Sequence, residues 1–359
     1  LIASGRLYPC YESAEELEIK RKLQLSAGKP PIYDRAALSL SENQINRYLS
    51  EGRKPHYRFF VENSPIEWND MVRGDIHYDG KNISDPIVIR EDGSMTYMLC
   101  STVDDIEYKI SDIIRGEDHL TNTAIQIQMF AALGDEIPRF GHLSLVKTAA
   151  DKISKRKGGF EIESLHNDDG LEAMAINSFF ANIGTSKPVL PFTEMKDLVD
   201  DFDIGAFSLS PTTYIPEDLS RLNHKIVSNM EYKEAIPRLS EIKASHIDEA
   251  FWIAVRHNIN TVKDATDWWN ICHNTPKLEQ KLDKNFLETA VGLLPNEDIS
   301  EHTWSSWTKE ISAKTGLKGK DLFLPLRLAL TGMDHGPEMA KLLPLIGYNR
   351  VVERLKISI

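Results

Sequence analysis

Between Thr121 and Leu133 the apolar residues recur at helical spacing, at Ala124, Ile127 or Gln128, and Ala131, and Gly134 follows as a C-terminal cap. Asp112–Ile114 reads as the end of a strand, and polar Arg115–His119, which contains Gly116, reads as a turn. Phe140–Val146 reads as a second strand, and Lys152–Lys157 as a loop. Strand, turn, helix, strand and loop make a βαβ unit, whose ligand lies beyond the carboxyl ends of its strands. Arg115–His119 and Lys152–Arg156 both fall at that end, so the chemistry is expected between them. Pro86–Arg90 and Met95–Cys100 read as strands of a hairpin turning at Glu91–Ser94, because Asp-Gly between apolar runs is a hairpin signal.

The flanking chain has its own punctuation. Ser13 followed by Glu15 and Glu16 opens a helix to about Ser26, which Gly28, Pro30 and Pro31 end. Leu171–Ala181 is an amphipathic helix ending near Gly184. From about Tyr232 the pattern is almost wholly helical, with His246–Val255, Asn285–Leu294 and Trp304–Thr315 as helices and Pro237, Pro276 and Pro295 as separators. No repeat or low-complexity segment interrupts it.

A chain of 359 residues suggests two or three domains. Its 41% hydrophobic and 27% charged residues are ordinary for a globular protein. Leu322–Leu330 is the most apolar stretch, and Arg327 interrupts it, so no run reaches membrane-spanning length. Cys10, Cys100 and Cys272 are too sparse for a disulfide framework and fit a reducing cytoplasm. The net charge of −12 argues against a generic nucleic-acid binder, so basic residues would have to concentrate on one face. One such concentration is Lys147, Lys152, Lys155, Arg156 and Lys157, with Asp151 as the only acid among them. It is either a solvated surface loop or a loop that wraps a polyphosphate.

These residues carry a resemblance. Lys152-Ile153-Ser154-Lys155-Arg156 resembles the KMSKS signature of class I aminoacyl-tRNA synthetases, and Ile113–His119 resembles the VIRGEDH run of the glutamyl-tRNA synthetases. Ser94–Tyr97 resembles that family's S-P-T-Y, with Met95 in place of proline, and Val103-Asp104-Asp105 its V-V-D-D. Four motifs in register are far more specific than one. Phe192-Thr193 and Leu219–Lys225 resemble the helical stem-contact domain, and Phe323–Gly332 the F-M-P-L-R-x-A-L-T-G of the helical anticodon-binding region of bacterial enzymes. Leu1–Ser13 resembles the start of the inserted acceptor-binding domain, and no HIGH-motif segment precedes it. The chain is therefore expected to be an N-terminally incomplete enzyme.

The fold expected is α/β plus all-α: part of a class I Rossmann catalytic domain with an α+β insertion, then a helical region. The division implied is 1–100 insertion, 101–158 second Rossmann half with the KMSKS-like loop, 159–232 stem-contact domain and 233–359 anticodon-binding region. The function implied is glutamate–tRNA ligation, with ATP and Mg²⁺, L-glutamate and tRNA-Glu (tRNA-Gln as a second candidate) as partners, in a cytoplasmic monomer. The alternatives are a truncated tRNA-binding relative without catalysis and a tRNA-modifying paralogue, which lacks the helical C-terminal region.

The resemblance makes Lys152 and Lys155 catalytic and assigns Tyr97, Ser101 and Arg115 to the substrate. It assigns Asp118, His119, Leu145, Val146, Ile153 and Lys155 to ATP. Each has a plainer reading. Tyr97 can be an ordinary strand aromatic, His119 a packing residue at a helix N-terminus, and Leu145, Val146 and Ile153 core. Arg115 can grip a carboxylate bidentately or pair with Glu117 or Asp112. Asp104 and Asp105 read as a helix or turn cap. Many relatives hold zinc with C-x-C and a later cysteine. Here Cys10 is followed by Glu12, and Tyr33–Ala37 contains no cysteine, so no metal is expected.

Overall fold

The computed structural model describes residues 1–148, 161–276, 281–295 and 299–358. It divides into two compact units. The first comprises Leu1–Lys147, Gly184–Lys187 and Asp203–Thr213, and the second Thr148–Ile183, Pro188–Phe202 and Tyr214–Ile359.

In the first unit, β1 (Leu7–Cys10) leads into α1 (Ala14–Ser26). Ser13 caps α1 as a capping box: its hydroxyl accepts from the Glu16 N–H at 3.2 Å, and the Glu16 carboxylate accepts from the Ser13 N–H at 2.8 Å. Next come α2 (Glu42–Ser50), β2 (His56–Phe59), β3 (Pro65–Asp70), β4 (Gly74–Asp79) and β5 (Ile87–Ile89). Strand β2 lies between β1 and β5 in an antiparallel sheet, and β3 and β4 form a hairpin.

The turn after β5 exists, with the Ser94 carbonyl accepting from the Arg90 N–H at 2.8 Å, but its second strand does not. Met95 bridges back to Ile89 and the Thr96 N–H donates to the Val88 carbonyl at 2.9 Å, but α3 begins at Tyr97 and runs to Glu107. The reason is burial. Leu99 and Thr102 share one face of α3, and Leu99, with Met98 and Ile106 beside it, packs into the core. Asp104 and Asp105 lie within α3 rather than capping an N-terminus.

The βαβ unit is present. Strand β6 (Asp112–Gly116) runs parallel to β7 (Arg139–Leu143), and α4 (Leu120–Leu133) joins them. Two boundaries differ from expectation. Strand β6 continues through Arg115 and Gly116, and a single 3-10 turn, Glu117–His119, leads into α4. Strand β7 stops at Leu143, and a separate strand begins at Val146. Gly134 ends α4 at φ 79°, the left-handed conformation that favours glycine.

Helix α4 is buried without interruption from Thr123 to Phe130. Its apolar residues Ala124, Ile125, Ile127, Met129 and Phe130 join Phe59, Val88, Leu99 and Phe140 in one core. At about 1.5–3 kcal/mol per buried large side chain, this core is the main stabilisation of the unit. Residues before and after Cys100 share it.

The second unit is dominated by helices. The expected helices appear as Ala173–Asn182, Glu249–Val255, Lys284–Gly292 and Glu301–Thr315. Asp248 and Asp283 cap two of them through their side chains. Pro237 does not separate segments but lies inside the helix Tyr232–Glu241, which the buried Ala235 and Leu239 hold despite the lost backbone bond. The core includes Trp252, Trp307, Leu326 and Leu342. Arg354, 2% exposed, donates to the carbonyls of Leu330, Ile271, Cys272 and Asn274 at 2.5–2.8 Å. It thereby closes carbonyls that helix ends leave open.

Candidate active site

Arg115 sits one residue before the carboxyl end of β6, opposite His142 on β7. Its guanidinium donates from Nη2 to the Thr123 hydroxyl at 2.5 Å and to Gln126 Oε1 at 2.6 Å. Its Nε is buried and, among the described residues, has no partner. Burial pulls its pKa down, and Tyr97, Asp105 and Asp118 act against that. The group stays charged, because arginine does not lose its proton in proteins. Neither sequence-level ion pair forms. Glu117 is taken by Arg73, and Asp112 by Arg139 at 2.5 Å. A part-buried guanidinium with no carboxylate in ion-pair contact among the described residues has the chemistry to receive an anion.

Tyr97, the first residue of α3, is 59% exposed, and its ring stands edge-on to that of His119 at 6.1 Å. One turn further along α3, Ser101 faces the site indirectly. Its hydroxyl accepts from Gln126 Nε2 at 2.9 Å, so Gln126 links Ser101 to Arg115. His119 ends the 3-10 turn, and its Nδ1 lies 3.2 Å from Asn122 Nδ2. Asp118 is exposed, and with Leu145 it closes over Gly116. A Cβ at Gly116 would come within 2.6 Å of Asp118 Oδ1 and 3.2 Å of Leu145 Cδ2. A side chain at Gly116 would therefore displace the exposed Asp118 carboxylate and press on Leu145. The Leu145 N–H donates to Glu117 Oε1 at 3.4 Å, and Val146 opens the strand Val146–Thr148. Tyr97, Ser101, Arg115, Asp118, His119 and Leu145 thus belong to one neighbourhood. Lys152, Ile153, Ser154, Lys155 and Arg156 lie outside the described residues.

Sequence reasoning missed four residues behind the site. Thr123 and Gln126 are polar residues on a buried helix, a signal visible in principle. Asp70 and His142 are fully buried partners, His142 Nδ1 lying 2.5 Å from Asp70 Oδ2. They stand far apart in the chain, with no local signal joining them.

The zinc question has structural content. Strand register pairs Cys10 with His56, so Cys10 Sγ, a Glu12 carboxylate oxygen and a His56 nitrogen lie within 4.8 Å of one another. Glu12 Oε2 and His56 Nε2 are buried without a partner among the described residues. These donors still fit a structural zinc poorly. Among the described residues they are three where four are needed. The Tyr33 hydroxyl donates its one proton to Glu12 Oε1 at 2.8 Å, and Cys10 Sγ lies 3.7 Å from the same hydroxyl oxygen. Burial pushes the Cys10 thiol up to about 11, and the nearby Arg58 guanidinium adds positive charge.

Residues 1–221 match the family described as tRNA synthetases class I (E and Q), catalytic domain, and residues 230–359 match an anticodon binding domain. Glutamate–tRNA ligase 1 of Rickettsia bellii (strain OSU 85-389) is 58% identical over 356 residues, which is 99% of this chain and 80% of that protein. Glutamate–tRNA ligase 1 of Rickettsia felis (strain ATCC VR-1525 / URRWXCal2) is 57% identical with the same coverage. The crystal structure of a glutamate tRNA ligase from Elizabethkingia meningosepticum CCUG26117 in complex with its amino acid shares the fold, with a TM-score of 0.80 at 20% identity over 99% of this chain and 80% of that one. On the fold, the motifs and these matches, the chain belongs to the glutamate–tRNA ligase family of class I tRNA synthetases.

Proposed function

We infer that this chain is a glutamate–tRNA ligase, with Arg115 as the residue that meets glutamate. The observation carrying the reading is the Arg115 guanidinium, part-buried at a strand end with no ion-pair partner among the described residues. A substrate carboxylate supplies the missing negative charge. The α-carboxylate of glutamate attacks the α-phosphorus of ATP, and pyrophosphate leaves. The 2′-hydroxyl of the terminal adenosine of tRNA then attacks the acyl carbon of the adenylate, and AMP leaves. No protein nucleophile is needed, so the protein contributes positioning and charge stabilisation. Magnesium enters with ATP and neutralises phosphate charge.

The roles divide as follows. Tyr97 and Arg115 bind glutamate, with Ser101 acting through Gln126. Asp118, His119, Leu145, Val146 and Ile153 hold ATP. Lys152 and Lys155 of the Lys152–Arg156 run, with Ser154 between them, stabilise the leaving phosphates. Residues 1–100 receive the acceptor arm, 101–158 carry the second Rossmann half, 159–232 contact the stem and 233–359 bind the anticodon. The enzyme acts as a cytoplasmic monomer. No helix among the described residues is long and apolar enough to cross a membrane.

Charging assays on the full-length protein with tRNA-Glu and tRNA-Gln separately test the function. Glutamyl transfer to tRNA-Glu is expected, and tRNA binding without transfer to either species would replace this reading with the non-catalytic one. Elemental analysis is expected to find no stoichiometric zinc, because the Cys10, Glu12 and His56 set is one ligand short. One zinc per chain would show that the set is completed by a group not counted here.

A further inference from the structure

Arg115 is the last member of a buried chain of hydrogen bonds that begins at Asp70. Asp70, at the end of β3, accepts at Oδ1 from the N–H groups of Val72, Arg73 and His142 at 3.0–3.1 Å. Its Oδ2 accepts from Trp68 Nε1 at 3.3 Å and faces His142 Nδ1 at 2.5 Å. Five donors around one buried carboxylate keep it charged. The carboxylate therefore fixes the proton of His142 on Nδ1, leaving Nε2 as an acceptor. The Thr123 hydroxyl lies 2.8 Å from that Nε2 and 3.2 Å from the His119 carbonyl, and its one proton goes to the nearer acceptor, Nε2. The Thr123 oxygen, 2.5 Å from Arg115 Nη2, is then left purely as an acceptor toward the guanidinium. Every donor in the series points the same way, from guanidinium to hydroxyl to imidazole to carboxylate. On the other side Gln126, held by Ser101, accepts from the same nitrogen.

We propose that Asp70, His142 and Thr123 are positioning residues that orient Arg115 for the glutamate carboxylate, a reading that rests on Arg115 binding glutamate. A buried charge and two buried polar groups are costly to keep in a core that apolar residues could fill. The bond from the His142 N–H to the Asp70 carboxylate would by itself serve to hold the end of β3 against β7, but it would not require Thr123 to face Arg115. Four segments, β3, β6, β7 and α4, each contribute one member, so the guanidinium is located by the fold and not by its own flexible stem.

The test is steady-state kinetics of the full-length enzyme with varied glutamate and varied ATP. Thr123→Val removes the hydroxyl and leaves Asp70–His142 intact. It is expected to raise the KM for glutamate about tenfold, the scale of one charge-assisted hydrogen bond, with little change in the KM for ATP. Thr123→Ser, which keeps the hydroxyl, is expected to restore wild-type values. Added to Arg115→Lys, Thr123→Val is expected to cost little more, since both act on one group. Asp70→Asn keeps the shape but no longer fixes the imidazole proton, and it is expected to raise the glutamate KM in the same way if Thr123→Val does not fold. A folded Thr123→Val or Asp70→Asn enzyme with unchanged glutamate KM, in a background where Arg115→Lys raises it, overturns the proposal. Effects that multiply in the double variant also overturn it. If Arg115→Lys itself leaves the glutamate KM unchanged, the glutamate-binding reading fails and this one falls with it.

Discussion

Lys155→Ala is expected to slow glutamyl-adenylate formation by about two to three orders of magnitude, the scale of losing one preorganised charge-stabilising group. Affinity for tRNA is expected to stay nearly unchanged. The argument is one of timing. Negative charge builds on the departing pyrophosphate as the bond to the α-phosphorus breaks, so an ammonium group there gains most of its interaction energy in the transition state. Such a group lowers the barrier without tightening the ground state. Lys155 stands in the run Lys152–Arg156, in which Ser154 is the only hydroxyl, and on the proposed reading it shares the task with Lys152. Losing one ammonium therefore leaves residual activity. Pyrophosphate exchange in the presence of tRNA isolates this step from transfer. Wild-type exchange in the variant would remove Lys155 from the catalytic role.

Arg115→Lys is expected to raise the KM for glutamate by about tenfold or more, with a much smaller change in the KM for ATP. Lysine preserves the charge, so a purely coulombic role would survive it. What is lost is the planar fork. In the native protein one nitrogen of that fork is committed to Thr123 and Gln126, which locks the plane, and Nε has no partner among the described residues. A single ammonium cannot hold the Thr123 and Gln126 oxygens and still offer two parallel donors to a carboxylate. It also leaves a buried acceptor unpaired when it turns toward the substrate. If the two Michaelis constants rise together, Arg115 is an architectural residue of the nucleotide site. If neither moves, the glutamate pocket lies elsewhere.

Relative to these expectations, much of the fold was legible in the residues alone. The Ser13 capping box and the Gly134 stop are local devices, since the groups that satisfy them lie within a few residues. The βαβ unit was legible because a long apolar helix between two short strand-like runs has few other solutions. The motif around Arg115 was legible because it is contiguous. For Lys152–Arg156, the sequence is the sole source of the assignment.

Tertiary structure decided the rest, for one physical reason: contacts between distant segments are set by packing and register, which no local pattern encodes. The run Tyr97–Cys100 suits a strand or a helix, and the packing of Leu99 beside α4 made it a helix. Glu117 and Asp112 offered Arg115 two neighbouring acids, yet Arg73 and Arg139, brought in from elsewhere in the chain, took both and left its guanidinium to Thr123 and Gln126. The pairing of β1 with β2 placed His56 beside Cys10. The approach of β3 to β7 joined Asp70 to His142 behind the arginine. The sequence nominated Arg115 for the substrate; the fold determined which side chains surround it.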